Sequence, residues 1–172
     1  MSFHDETGLS MAASHLLLDG WNLLYAWGDL VVGSPKDGAA AAGVLVARVQ
    51  PLLRDGRLLV TIVFDGQGKR PDIQALSPDD TFNLIYTPSG TTADAFIERA
   101  VGSVSDPQNF IVATGDHALR MAVFAMGADV ISPENLAAWI ERAAKTALPK
   151  TSPQKALSPF DGLDELFSKR EE

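Results

Sequence analysis

The sequence predicts one α/β domain, a central and mostly parallel sheet of about five strands with helices on both faces. Three observations carry that expectation. Short, largely apolar runs recur at residues 15–19 (HLLLD), 58–64 (LLVTIVF), 82–87 (FNLIYT), 110–114 (FIVAT) and 128–131 (ADVI), and such runs read as buried strands. Helical segments or long connections separate them, which favours parallel pairing through right-handed crossovers. The chain has 172 residues, the length of one domain, and a domain of that size hides roughly 70% of the surface its unfolded chain exposes. In sheets of this kind ligands sit beyond the carboxyl ends of the strands.

Taken in order, residues 1–14 read as a flexible head. After the first strand, Gly20-Trp21-Asn22 turns the chain and residues 23–30 start a helix. Residues 33–38 form a loop around Pro35. Residues 39–54 are rich in Ala and Leu and predict a helix stopped by Asp55-Gly56, with Pro51 marking a kink or break. The second strand ends at Asp65-Gly66, and residues 67–81 are polar with two prolines, which predicts an exposed loop. After the third strand, Pro88-Ser89-Gly90 turns into a helix over 92–101, with Thr91 as its cap and Asp94 as a capping-box partner. The fourth strand leads through Gly115-Asp116 to a helix over 117–126 closed by Gly127. The fifth leads to a helix over 133–147 with proline in its first turn. The domain is thus expected over 15–147. Residues 148–172 read as an acidic, flexible tail with a short amphipathic turn at 163–167.

Composition removes several classes of function. There is no cysteine, so disulfides and thiolate metal sites are excluded and a cytoplasmic location is expected. His4, His15 and His117 form no zinc-type motif. No apolar run approaches the roughly 20 residues of a membrane helix, and the acidic residues Asp5 and Glu6, without Lys or Arg before Met11, argue against a targeting signal. The net charge of −8 counts against nonspecific binding of duplex DNA.

The chemistry-bearing pattern is an apolar strand followed by aspartate, three times: Asp19, Asp65 and Asp116. Parallel strands would deliver all three carboxylates to one edge. Asp94, in the first turn of the helix after the third strand, points to the same edge, with Glu98 one turn later on its face. Singly, each is an ordinary turn or cap residue, and Asn22 is an ordinary turn residue. Together they form a cluster whose mutual repulsion Mg²⁺ or Mn²⁺ would relieve. Lys69, Arg70, His117 and Arg120 lie near that edge and would offset the charge of phosphates. Trp21, Tyr25 and Trp27 are either stacking platforms or packing residues.

The segments LLLDGWNLLYAW, TIVFDG, YTPSGTTADAFIERAV, FIVATGDHALR and GADVISPENL resemble, in that order, the YacP-like NYN branch of the PIN-like nucleases. The resemblance spans about residues 15–143. It implies a Rossmann-like three-layer α/β/α PIN-like domain, dependence on Mg²⁺ or Mn²⁺, and endoribonuclease activity on single-stranded RNA, with the translating ribosome as a partner. Asp19 and Asn22 match the D-G-x-N motif, Asp65 the F-D-G acid, Asp94 the T-A-D acid and Asp116 the acid after the fourth strand. On this likeness Asp19, Asp94 and Asp116 bind metal directly or through water, Asn22 orients Asp19 or a phosphate, and Thr92 and Thr114 support the acids. His117 stands where relatives often carry Arg or Tyr, and Arg120 where they often carry Gln; both departures bear on RNA contacts.

Two other classes compete. One is a catalytically weak RNA- or ribosome-binding module of the same fold. The other is a different metal-dependent phosphoryl-transfer enzyme on a similar sheet, such as a phosphatase; one with an aspartyl nucleophile typically needs a D-x-D pair, and Asp19-Gly20-Trp21 lacks the second acid. The sequence leaves the oligomeric state open.

Overall fold

A computed structural model describes residues 15–28, 38–54 and 56–146. The expectations for the head, the 148–172 tail and most of the 33–38 loop fall outside those residues.

Six strands form one sheet: β1 (His15–Asp19), β2 (Leu59–Phe64), β3 (Asp72–Ala75), β4 (Phe82–Tyr86), β5 (Phe110–Ala113) and β6 (Asp129–Ile131). Their order is β3-β4-β2-β1-β5-β6. All neighbours are parallel except β3 with β4. Among the described residues five α-helices accompany them, α1 (Gly20–Trp27), α2 (Gly38–Val49), α3 (Ala93–Ser103) and α4 (His117–Ala125) between strands and α5 (Pro133–Lys145) after β6.

Side chains alternate across a strand, and the two faces of the sheet bury different residues. Leu16, Leu18, Val60, Ile62, Phe64 and Ile111 pack with buried residues of α1, α2 and α5. Leu17, Val63, Ile85 and Val112 pack with α3 and α4 through Phe96, Ile97, Leu119 and Val123. The result is the three-layer α/β/α domain that the strand–helix alternation predicts.

The differences from expectation have local causes. β3 lies inside the segment read as loop, because a four-residue strand with sequence DIQA carries one large apolar side chain and sits at the sheet edge, where little needs burying. The helix expected over 39–54 stops at Val49 and continues as a single 3₁₀ turn, Gln50–Leu53, because Pro51 has no N–H to donate. Gly20-Trp21-Asn22 opens α1 rather than forming a separate turn. Gly20 is required there by packing: a Cβ would lie 2.6 Å from the Phe64 ring. The cap of α3 is Thr92, one residue later than expected, and its hydroxyl accepts from Ala95 N–H at 3.2 Å.

β1 has β2 on one side and β5 on the other, so the chain reverses its direction of travel across the sheet at β1. That is the position at which an open α/β sheet leaves a crevice at its carboxyl edge.

The start of α3 is held to β2 by backbone. Thr87 N–H donates to Phe64 O at 2.9 Å and Ser89 N–H to Gly68 O at 2.7 Å. Gly66 lies so close that a Cβ would stand 2.0 Å from Thr87 O. Gly43, on the exposed side of α2, has nothing within 4 Å of its own Cβ position. Gly66→Ala is therefore expected to destabilise the domain by about 3 kcal/mol, because backbone cannot step aside. Gly43→Ala should stabilise it by about 0.5–1 kcal/mol through helix propensity. Urea denaturation of both variants checks the pair of signs.

Candidate functional site

Asp19 closes β1 and is buried, with 4% of its surface exposed. Thr114, fully buried at the end of β5, donates its hydroxyl to Asp19 Oδ2 at 3.1 Å. The same hydroxyl oxygen accepts Asp116 N–H at 3.1 Å. One side chain thus joins the acids that end β1 and β5 across the crevice.

Burial pushes the Asp19 carboxyl up to about 7. The charge of Asp94 and a hydrogen bond shared with it push the same way, the Thr114 hydroxyl opposes them, and Asp65 adds a further upward push. Asp94 reaches Asp19 because Thr92 caps α3. Had Thr91 been the cap, Asp94 would have occupied the capping-box position facing the chain's own backbone.

The four aspartates have separate surroundings. Asp65 is exposed, and its Oδ1 accepts from Ala93 N–H at 2.6 Å, tying the end of β2 to the first turn of α3. Asp116 caps α4 by accepting Leu119 N–H at 2.9 Å. Asn22 Oδ1 accepts Gly115 N–H at 2.6 Å and so holds the β5–α4 turn against α1. Among the described residues, no three His, Asp or Glu side chains are arranged to hold a metal ion. Asp19, Asp94 and Asp65 interact electrostatically, while Asp116 is joined to Asp19 through Thr114.

Glu98 is exposed and lines a shallow groove with Arg99 and Met126, one helical turn beyond Asp94. Lys69, Arg70 and His117 are exposed and Arg120 is half-buried. Trp27 is a packing residue: its indole N–H donates to Pro133 O at 2.9 Å and the Arg48 guanidinium lies 4.1 Å from its ring centroid. Trp21 packs edge-on against Phe64, 5.4 Å between ring centroids, and Tyr25 is 66% exposed. Sequence reasoning missed Thr87. It is buried, accepts Gly66 N–H at 3.2 Å and donates to Thr91 O at 2.6 Å, which sets the turn presenting Asp94. Its only signal was a hydroxyl at a strand end before Pro88.

A three-layer sheet with acids gathered at its carboxyl edge is the architecture of the PIN-like nuclease superfamily, and this chain is a member. A family model described as the YacP-like NYN domain matches residues 16–168, and the chain belongs to that family. Two solved structures of Rae1 (YacP) from Bacillus subtilis are similar to it. One, of a point variant, has a TM-score of 0.61 at 26% identity, covering 77% of this chain and 77% of that one. The other has a TM-score of 0.57 at 26% identity, covering 77% and 76%. No curated protein matches the chain. Membership supports a nuclease or RNA-processing role.

Asp19 and His15 give β1 two opposed dependences on pH. Asp19 titrates at about 7 folded against 3.8 ordinarily, so its ionisation costs stability progressively as pH rises from about 4 to 7, on the order of a few kcal/mol in full. Burial pushes the His15 imidazole, whose Nε2 lies 2.9 Å from Thr61 Oγ1, down to about 3 from 6.5; its contribution is lost as pH falls from 6.5 towards 3. Asp19→Asn removes the first and leaves the second. In chelator, the variant should exceed the native chain by a few kcal/mol at pH 8, converge with it near pH 4, and lose stability more steeply on acidification below 6.5. Denaturant midpoints across that range check this, and parallel pH profiles would refute the Asp19 assignment.

Proposed function

We propose that this chain is a Mg²⁺- or Mn²⁺-dependent endoribonuclease that cuts single-stranded RNA in the cytoplasm, including mRNA on the translating ribosome. The observation that carries the reading is the buried Asp19 carboxyl sharing a hydrogen bond with Asp94 at the crevice. Two carboxyls in that arrangement cannot both ionise cheaply without a positive charge between them. The donor set is all oxygen, which suits a hard cation. Mg²⁺ characteristically takes one or two carboxylates and completes its shell with water and substrate phosphate, so a carboxylate pair is a sufficient protein contribution.

Asp19 and Asp94 would hold the ion, with Asp116 completing the acidic set directly or through water. When bound, the ion supplies charge stabilisation to the phosphodiester and acidifies water. Thr114 fixes one oxygen of Asp19 and the backbone of Asp116 together, so the two acids keep their spacing as charge changes. Asn22 holds Gly115 and with it the turn carrying Asp116. Asp65 anchors the helix start that presents Asp94, as Thr92 does by capping it. Lys69, Arg70, His117 and Arg120 supply the positive charge that a chain of net −8 needs beside an RNA backbone.

The binding-module reading draws on the net charge of −8 and on Arg120 standing where relatives often carry Gln. The two readings separate cleanly. A nuclease cleaves unstructured RNA only with Mg²⁺ or Mn²⁺; a binding module retains RNA or ribosomes without turnover at any metal concentration.

Asp19→Asn and Asp94→Asn should each lower cleavage by more than about 100-fold, and Thr114→Val by about 10-fold as the loss of a supporting hydrogen bond. Arg120→Ala should raise KM with little change in kcat. Gel-resolved cleavage of a labelled unstructured RNA measures all four. Activity surviving both Asp19→Asn and Asp116→Asn would remove the roles given to those residues.

A further inference from the structure

Beside the acids, a cleft of about 620 Å³ opens on the face of the sheet that α1 and α2 cover. Its lining includes Trp21, Tyr86, Asp65, Arg70 and Asp72. Asp65 belongs to both features, since it also acts on Asp19. Asp65 thus links the cleft to Asp19 at the sheet edge.

The aromatic part is fixed by the core. Phe64 is fully buried; the Trp21 ring meets it edge-on at 5.4 Å and the Tyr86 ring lies 6.1 Å away at an angle of 29°. Tyr86 pairs in register with Phe64 on one side and with Asp72 on the other. Directly opposed residues present their side chains on the same face, so Asp72 lines the cleft together with Tyr86; its Oδ2 accepts from Gln74 Nε2 at 2.9 Å, which leaves Oδ1 and the remaining lone pair of Oδ2 for a ligand. Arg70 arrives two residues earlier on the same connection. The cleft thus combines a rigid aromatic surface, a carboxylate and a guanidinium.

We propose that this cleft seats one unstacked guanine of the RNA strand next to the phosphate to be cut. The proposal rests on the nuclease reading above. Trp21 and Tyr86 supply stacking, worth roughly 1–3 kcal/mol per base. Asp72 accepts from the adjacent N1–H and N2–H of guanine's Watson–Crick edge, and Arg70 donates to its O6 and N7. Guanine alone offers two neighbouring donors and two neighbouring acceptors. Adenine turns an amino group towards the guanidinium, and uracil and cytosine each offer a single donor group to the carboxylate.

The test begins without metal, so that no cleavage intervenes. Tryptophan fluorescence of the full chain in chelator is titrated with GMP, AMP, CMP and UMP, then with oligouridylate and the same oligomer carrying one guanosine. GMP should bind about tenfold more tightly than the others, and the single guanosine should strengthen oligomer binding by a similar factor. Asp72→Asn and Arg70→Gln, both at exposed positions, should each erase the preference while the thermal midpoint stays unchanged. Equal binding of the four nucleotides, or a preference that survives both variants, overturns the proposal. A preference for free GMP with none in the oligomer overturns the assignment to RNA. Because these measurements need no turnover, a chain that prefers guanine and cuts nothing would refute the nuclease reading and leave the pocket standing.

Discussion

The structure is organised around a carboxylate that has little access to water. Asp19 ends the central strand, and desolvation alone disfavours its charge before any neighbour is counted. Asp94 and Asp65 make the same group harder to ionise, while the Thr114 hydroxyl is the opposing hydrogen bond. A fold selected for stability alone would put an apolar residue here, continuing the run Leu16-Leu17-Leu18. The site instead retains an acid that a proton or a cation must neutralise, and local strain of this kind at the carboxyl edge of a sheet is the physical mark of a functional position.

Aspartates of identical chemistry do different work because their backbone surroundings differ. Asp65 and Asp116 each accept, through one carboxylate oxygen, a backbone N–H at a helix start, from Ala93 and Leu119. Those bonds leave the residues as anchors of the helices they hold. Asp94 occupies the second position of α3, where Thr92 already satisfies the exposed N–H. Its carboxyl is thereby released to face Asp19. A one-residue change in which threonine caps the helix is what separates an anchor from a reactive partner.

Much of this was legible in the chain. The strand runs are long and apolar, the aspartates follow them directly, and parallel topology then dictates a common edge. The identity of the acids in contact was less legible. Sequence spacing put four carboxylates on one edge, but it carries no record of which backbone N–H each would meet, and that decides which remain available. Glu98 illustrates the same limit: helical periodicity placed it beside Asp94, yet the exposed side of α3 carries it towards Met126. β3 escaped for another reason. Its sequence has one large apolar residue, Ile73, and its strand character comes from the ladder to β4 rather than from burial.

That unannounced strand has a consequence for the shape of the surface. Without it, β4 would be the sheet edge and Tyr86 would face an open margin. The antiparallel return brings residues 70–72 back along β4 and sets Asp72 against Tyr86. A polar connection leaving the acidic edge is thus folded over the aromatic one, so that Arg70 and Asp72 share a cleft with Trp21. The strand is too polar to be held by its own burial, and Asp72, its one charged residue, faces the cleft. Its four-residue length fits that arrangement: it is sufficient to fix the register of Asp72 against Tyr86 and short enough to leave the sheet without a long exposed edge.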